Sequence, residues 1–501
     1  MSDSTRRAFL QCSGALLGGI ALGTQVTAAE SADRYIVETN GGAVPSDLEV
    51  VHEMSGVDFA VVRGSEDGVE SSNQVTDYEV DVEVKLEEPD TPDELADRED
   101  VFDLPASRNG DDLYDLEWDK QDQDVRTIHD EKEVRGEGAR VAVIDDGVYA
   151  DHPDLEVNEA LSVNFTGDGN GTGALFDDHG THVAGTIAAQ DNGTGVVGTA
   201  PGAEIVDLRV FSGPFASFGD IVAAIVYSVA VDADAANLSL GAYPVPRQGL
   251  GSFYGKLLNR VMTFANKEGT LLVVAAGNDS ADLQHDKNFI SLPNEGAQGL
   301  SVAATGPEGF DIPPEGFEDP PESPAYYTNF GTNAIDLGAP GGDLDLEALA
   351  EFAASDPGLT VGEIRTLVAD WVLSTTFETP ADEEPADEDG DGNIDDPPSS
   401  RTPRYGYKQG TSMATPQVAG AAALVRSADD SLNANQAESI LENAASVPDD
   451  YDKTYYGSGY LDTLGAVESA LEKAENGNGK GNGNGNGNGK GNGNGNGNGN
   501  N

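Results

Sequence analysis

Near-continuous apolar runs of strand length punctuate the middle of the chain: ARVAVID (139–145), AEIVDLRV (203–210), AANLSLG (235–241), GTLLVVAAGN (269–278), GLSVAAT (299–305) and NAIDLGAP (333–340). Such runs do not alternate with polar residues, as expected for strands covered on both faces. Between them stand helical patterns, THVAGTIAAQ (181–190), FGDIVAAIVYSVAVDA (218–233) and YGKLLNRVMTFANKEG (254–269). Strand and helix in alternation predict an α/β fold of three layers, with a mainly parallel central sheet between helices. In such sheets ligand and reaction sites gather beyond the carboxyl ends of the strands.

The flanks read differently. Residues 33–86 carry short alternating strands, RYIVET, FAVVRGS and YEVDVEVKL, which predict a small α+β unit ahead of the main one. A stretch rich in Asp, Glu and Pro, 87–108, reads as an exposed linker, so that 30–110 forms a leader with its acidic connection and 111–475 the main domain. The main domain is interrupted at about 342–400 by a possible helix pair, LEALAEFAAS and VGEIRTLVADWVLS, followed by an acidic loop. The Gly/Asn repeat of 476–501 offers nothing from which to build a core and is expected to be disordered.

Charge narrows the setting. The 501-residue chain holds 90 acidic and 27 basic residues, a formal net charge of -63. Self-repulsion on that scale strains a compact fold in dilute buffer, whereas the Debye length falls to roughly 3 Å at 1 M salt. The composition therefore predicts a protein built for brine. It disfavours nucleic acid and anionic membranes as partners, since both need a basic face. At the N-terminus Arg6 and Arg7 precede a short apolar run that ends in small residues near Ala28 and Ala29, which reads 1–29 as a twin-arginine export signal and the mature protein as secreted, free of the membrane. The single cysteine, Cys12, lies inside that signal, so no internal disulfide is expected.

The candidate chemistry lies on four separated segments. Asp145 ends the first buried run and can orient an imidazole; as a lone aspartate it can equally be a surface or metal-bound residue. His179 opens the helical stretch in DDHGTHVAGT and can take a proton, while His182 one turn on is expected to pack inward; two histidines at this spacing make a poor zinc site. Asn278 ends another buried run, where its amide can donate to an oxyanion. Ser412, in GTSMATP, begins an apolar helix with Pro416 in its first turn, either as an N-cap or with its N–H facing developing negative charge.

On VAVIDDG, DDHGTHVAGT, NLSLG, VVAAGN and GTSMATP the chain resembles the subtilisin-like serine proteases, and among them the extracellular halolysin type, over roughly 114–474. The order Asp, His, Ser is the one known for subtilisin. The resemblance implies a broad serine endopeptidase working through an acyl-enzyme. Ser412 would be the nucleophile, His179 the general base, Asp145 its orienting acid and Asn278 the oxyanion donor. Asp146 and Gln417 depart from the family's usual residues, Ser or Thr and His respectively.

The resemblance also implies that Ser239, Leu240 and Gly241 lay out an extended protein or peptide substrate, with Ala275, Ala276 and Gly277 as one wall of the specificity pocket. It implies a structural calcium ion held by Asp154 and Asn192 side chains and the Gln190, Thr194 and Val196 carbonyls, with no organic cofactor. A second calcium loop is suggested by Asp387, Asp389, Asp391, Gly392 and Asp395 around Ile394, spoiled by Pro398 where a bidentate Glu belongs; a plain acidic loop is the alternative. The leader is similar to the family's inhibitory propeptide, which implies a monomeric, self-cleaving zymogen cut between about Leu86 and Tyr114. The opposing functional reading is a catalytically inactive relative that binds peptides, or an acidic calcium-binding surface protein.

Overall fold

The structure, a computed structural model, describes residues 27–28, 33–41, 47–86, 88–92, 94–95, 98, 101–104, 106–246, 251–285, 288–310, 319–354, 359–380, 394, 398 and 400–478. Most of the export signal, the suggested second calcium-loop residues Asp387, Asp389, Asp391, Gly392 and Asp395, and the Gly/Asn tail beyond 478 lie outside these. Among the described residues no helix is long and apolar enough to cross a membrane.

Every predicted buried run becomes a strand of one eight-stranded sheet. In spatial order the strands are Gly459–Tyr460, Leu337–Pro340, Gly299–Thr305, Leu271–Ala275, Ala235–Leu238, Arg140–Asp145, Glu204–Arg209 and Val163–Asn164. All their pairings are parallel. The two-residue period of a strand sends neighbours to opposite faces. Thus Val141 and Val143 join one core with Val183, Ile187, Val418 and Leu424, whereas Ala142 and Ile144 join the other with Phe218, Ile221, Leu257 and Val261. The first core belongs to helices His179–Ala188 and Thr411–Ala428, the second to Phe218–Ala230 and Gly251–Glu268. The expected three layers are present.

The leader forms a four-stranded antiparallel sheet in the order Glu49–Met54, Phe59–Arg63, Arg34–Thr39, Val75–Val80, with the short helix Glu66–Ser71. Glu49–Met54 was hidden in sequence because EVVHEM has no clean apolar alternation. Tyr35, Val37 and Val69 make a small core of the leader's own, while Ile36, Phe59 and Val61 enter the second core of the main domain. YEVDVEVKL is two strands, not one. The break is Asp81, whose carboxylate accepts from Gly219 N at 2.8 Å and from Arg34 Nε at 2.7 Å, at the start of helix Phe218–Ala230. Beyond it Val82–Lys85 leaves the leader sheet and pairs antiparallel with Phe215–Ser217.

Two further expectations need correction. The acidic 87–108 stretch is not simply exposed: Leu95, Val101 and Leu104 are buried with Trp371, Leu373, Tyr405 and Tyr407. Burying apolar side chains of this kind is worth about 1.5–3 kcal/mol each, enough to hold an otherwise polar strand of chain. In the insertion, Leu346–Ala354 and Val361–Val368 are helices, the second closed by a Thr360/Glu363 capping box. The stretch read as the end of the second helix instead becomes strand Val372–Glu378, paired antiparallel with Thr402–Lys408 in a hairpin that leads straight into Ser412.

Candidate active site

Asp145 ends its strand, His179 and Ser412 stand at the starts of two helices packed into one core on that strand, and Asn278 lies in the loop after strand Leu271–Ala275, beside Ser412. Asp145 is the last residue of its strand, and its Oδ1 lies 2.8 Å from His179 Nδ1, both side chains fully buried. Oδ1 also accepts from Asp146 N at 2.8 Å. Gly180, next to the histidine, must be a glycine: a Cβ there would stand 2.5 Å from the Gly147 carbonyl oxygen. Burial works against the imidazolium of His179, but the Asp145 carboxylate outweighs it and the net displacement of the pKa is upward; Glu88 of the leader adds to the rise. His179 Nε2 is buried without a hydrogen-bond partner.

Ser412 is the second residue of helix Thr411–Ala428, behind Gly410. Pro416 therefore sits in the second turn, not the first. A helical residue there would donate its N–H to the Ser412 carbonyl, and proline has none to give. The freed carbonyl accepts from Ser239 Oγ at 2.7 Å instead. In return the Ser412 hydroxyl donates to the Ser239 carbonyl oxygen at 3.2 Å. In this state it is turned to Ser239 rather than to His179.

Asn278 Oδ1 accepts from both Thr411 N and Thr411 Oγ1 at 2.9 Å. A backbone N–H can only donate, so this contact fixes which end of the amide is oxygen and turns the NH₂ away from Thr411. Leu240, Gly241, Ala275 and Gly277 line a pocket beside Asn278 and Ser412 together with Tyr243 and Ser291, which sequence reading did not single out. Ala276 does not line it. The strand period turns its side chain to Ala303 and Ile335 on the other side. Ser239 enters through its backbone and its hydroxyl contact with Ser412.

Asp146 is fully buried, and burial followed by the neighbouring Asp145 charge pushes its pKa well up. One oxygen accepts from Gly180 N at 2.7 Å. His182 packs inward, with Nε2 3.1 Å from the Val372 carbonyl oxygen. Gln417 does more than alter packing: its Nε2 donates to Asp119 Oδ2 at 2.6 Å and its Oε1 accepts from the buried Lys120 Nζ at 2.6 Å. It bridges a buried ion pair beneath the serine helix.

The predicted calcium residues also meet, but they satisfy one another. Asp154 Oδ1 accepts from Asn192 Nδ2 at 2.8 Å and Oδ2 from Tyr405 Oη at 2.7 Å, while Asn192 Oδ1 accepts from Thr194 N and Oγ1 at 2.9 and 2.7 Å. Thr194 N can only donate, so the Asn192 amide turns its NH₂, not its oxygen, toward the carboxylate. Gly195 closes in on the same group, since a Cβ there would stand 1.8 Å from Asp154 Oδ2. Both Asp154 oxygens thus already accept a hydrogen bond and the Asn192 oxygen faces Thr194 instead of the carboxylate, a side-chain arrangement that does not fit a cation between them. Tyr405 lies on the insertion hairpin, outside the motifs, so no local pattern marks it as a partner of Asp154.

Sequence reading also missed the residues that carry the leader past this site. Leu86 N donates to the Pro214 carbonyl at 2.9 Å, extending the Val82–Lys85 pairing. Lys408 Nζ meets Glu88 Oε1 at 2.9 Å and Asp178 Oδ1 at 3.1 Å. The Asp90 carbonyl accepts from Tyr326 Oη at 3.3 Å.

Comparison with known proteins agrees with this picture. Residues 136–489 match the model of the subtilase family, Peptidase S8. The chain is 31% identical over 375 residues to an extracellular protease of Xanthomonas campestris pv. campestris, an alignment spanning 67% of this chain and 52%, about half, of that relative. It is 30% identical over 338 residues to subtilisin Savinase of Lederbergia lenta, covering 66% of this chain and 92% of that one. Among solved structures, a lanthipeptide protease superposes with a TM-score of 0.53 at 26% identity, covering 71% of this chain and 95% of that one. The epidermin leader peptide processing serine protease of Staphylococcus aureus shares the fold, with a TM-score of 0.62 at 20% identity over 87% of this chain and 98% of that one.

Proposed function

Because the chain belongs to the subtilase family of serine peptidases, we propose that it is a secreted, salt-adapted serine endopeptidase made as a self-cleaving zymogen. Ser412 Oγ attacks the scissile carbonyl and His179 Nε2 takes its proton. Asp145 holds the imidazole in the tautomer that leaves Nε2 free to accept, and Asn278 Nδ2 with the Ser412 N–H stabilises the oxyanion. The imidazolium then protonates the leaving amine, and water, deprotonated by the same ring, releases the acyl group. The attack requires the Ser412 hydroxyl to rotate from the Ser239 carbonyl toward His179, a change of side-chain rotamer, and hydrogen bonds of this kind commonly tighten only once substrate is bound.

The single observation that carries this reading is the buried 2.8 Å contact of His179 Nδ1 with Asp145, beside an imidazole whose other nitrogen has no partner. The zymogen reading is supported by the leader strand Val82–Lys85, which lies along Phe215–Ser217 as an added β-strand, a pairing insensitive to side-chain identity. Secretion is supported by the twin-arginine pattern and by the extracellular relative, and salt adaptation by the charge of -63. Calcium forms no part of the reading.

The test is full-length protein in brine, treated with a fluorophosphonate probe. Wild type should label at Ser412, digest an unfolded protein and shed its leader. Ser412→Ala should fold, stay unlabelled and accumulate at full length. Labelling and turnover that persist in His179→Ala would overturn the assignment.

A further inference from the structure

Downstream of the leader the chain is attached to the main domain at point after point. Hydrogen bonds from Leu95 N to Pro92 O, Arg98 N to Leu95 O and Val101 N to Arg98 O, at 2.8, 2.8 and 2.9 Å, wind it through turns spaced three residues apart. That spacing carries Leu95, Val101 and Leu104 into the cluster around Trp371 and Tyr405. Phe102 packs edge-on against Trp371 with ring centroids 4.9 Å apart. Asp103 then bridges Gly406 in antiparallel fashion, with Leu104 N donating to Tyr405 O at 2.7 Å and Tyr407 N to Phe102 O at 3.3 Å. Residues 102–104 thus add a short third strand to the insertion hairpin. Gly406 is fitted to this contact, for a Cβ there would stand 2.2 Å from Asp103 Oδ1. Asn109 Nδ2 donates to Pro403 O at 2.9 Å, and Asp111 and Leu113 exchange backbone bonds with Gly195.

The leader is held elsewhere, by Asp81 and Arg34 at helix Phe218–Ala230 and by the strand against Phe215–Ser217. Between the two attachments lies the short passage from Leu86 to Pro89. There Glu88 reaches Lys408, four residues before Ser412, and Pro89 Cδ comes within 3.4 Å of where a Cβ on Gly410 would stand.

We propose that one cut between Leu86 and Glu88 frees the leader, and that the acidic stretch down to Leu113 stays with the working enzyme as a strap. Leu95, Val101 and Leu104 anchor it, and Phe102 and Asp103 line a pocket at its upstream end together with Glu88, Phe377, Tyr407 and Lys408. Because Glu88 follows the leader strand Val82–Lys85 and its charge acts on His179, that pocket receives the substrate residue on the leaving-group side. This rests on the protease reading above.

The experiment is intact mass and N-terminal sequencing of matured wild-type protein, with cleavage sites mapped on an unfolded protein substrate, and then the same for Leu104→Asp. Wild type should begin at residue 87 or 88 and still hold the strap after washing in brine. Leu104→Asp should keep fluorophosphonate labelling at Ser412, lose the segment ahead of about residue 106 to further cutting, and change its preference for the residue after the scissile bond at least several-fold. An active wild-type enzyme that begins at or beyond Asp111 overturns the proposal, as does a Leu104→Asp enzyme with unchanged terminus and preference. Where Leu104→Asp does not fold, the wild-type terminus decides alone. Absence of labelling in wild type is a separate result, and it removes the protease reading itself.

Discussion

Asn278 owes its usefulness to Thr411, whose N–H and hydroxyl both point at the amide oxygen and leave the NH₂ to face elsewhere. Asn278→Ala should lower kcat by about 10²–10³ with little change in KM, the magnitude found for the corresponding donor in subtilisin; steady-state kinetics on a peptide ester checks it. His179 has a pKa displaced upward, by Asp145 against burial, from an ordinary value of 6.5. A general base must be neutral, so kcat/KM should fall as pH drops through a value above 6.5. Part of that displacement comes from Glu88, so Glu88→Gln should lower it, a difference readable from the His179 ring resonances of Ser412→Ala protein with and without that second change. Asp146, pushed well up by burial and by Asp145, is the carboxyl that can be neutral. Asp146→Asn should therefore stay within a few-fold of wild type, where Asp145→Asn, which supports the wrong tautomer, should lose about 10⁴.

Among elements, the insertion hairpin ties the most together: Thr402–Lys408 pairs with Val372–Glu378, receives the strap and sends Tyr405 to Asp154. Tyr405→Phe removes the hydroxyl that donates to Asp154 Oδ2 while leaving the ring in place. It should cost about 1–3 kcal/mol for a lost hydrogen bond to a buried carboxyl group; calorimetry should show a lowered Tm that added calcium does not restore. None of this was readable beforehand. Buried strands such as Arg140–Asp145 announce themselves because both faces are apolar, and the four reactive positions stand in motifs whose neighbours explain them. Leu95, Val101 and Leu104 lie scattered among acids with no period of 2 or 3.6, and only the distant Trp371 gives them a place to go. Pro416 was misplaced by a turn for a local reason. The helix begins one residue before Ser412, and the value of the missing N–H shows only when Ser239 is seen filling the gap.

For the whole molecule the governing quantity is charge. With a net charge of -63, the fold should lose cooperativity and activity on transfer from molar salt to roughly 0.1 M, where the Debye length grows to about 10 Å and repulsion reaches across the surface. Circular dichroism and peptide hydrolysis followed along the same salt series should fall together, and a protein fully folded after long dialysis into dilute buffer would show that the acids are dispensable. The sheet sets a different limit, on timing. Its edge strand Gly459–Tyr460 pairs with Leu337–Pro340, and the sheet as a whole joins pieces of chain separated by hundreds of positions. Contacts so remote are slow to form, and the last of them cannot form while residue 460 is still inside the ribosome. A nascent chain stalled short of that point therefore carries an open β-edge at Leu337–Pro340 that any neighbouring strand can occupy.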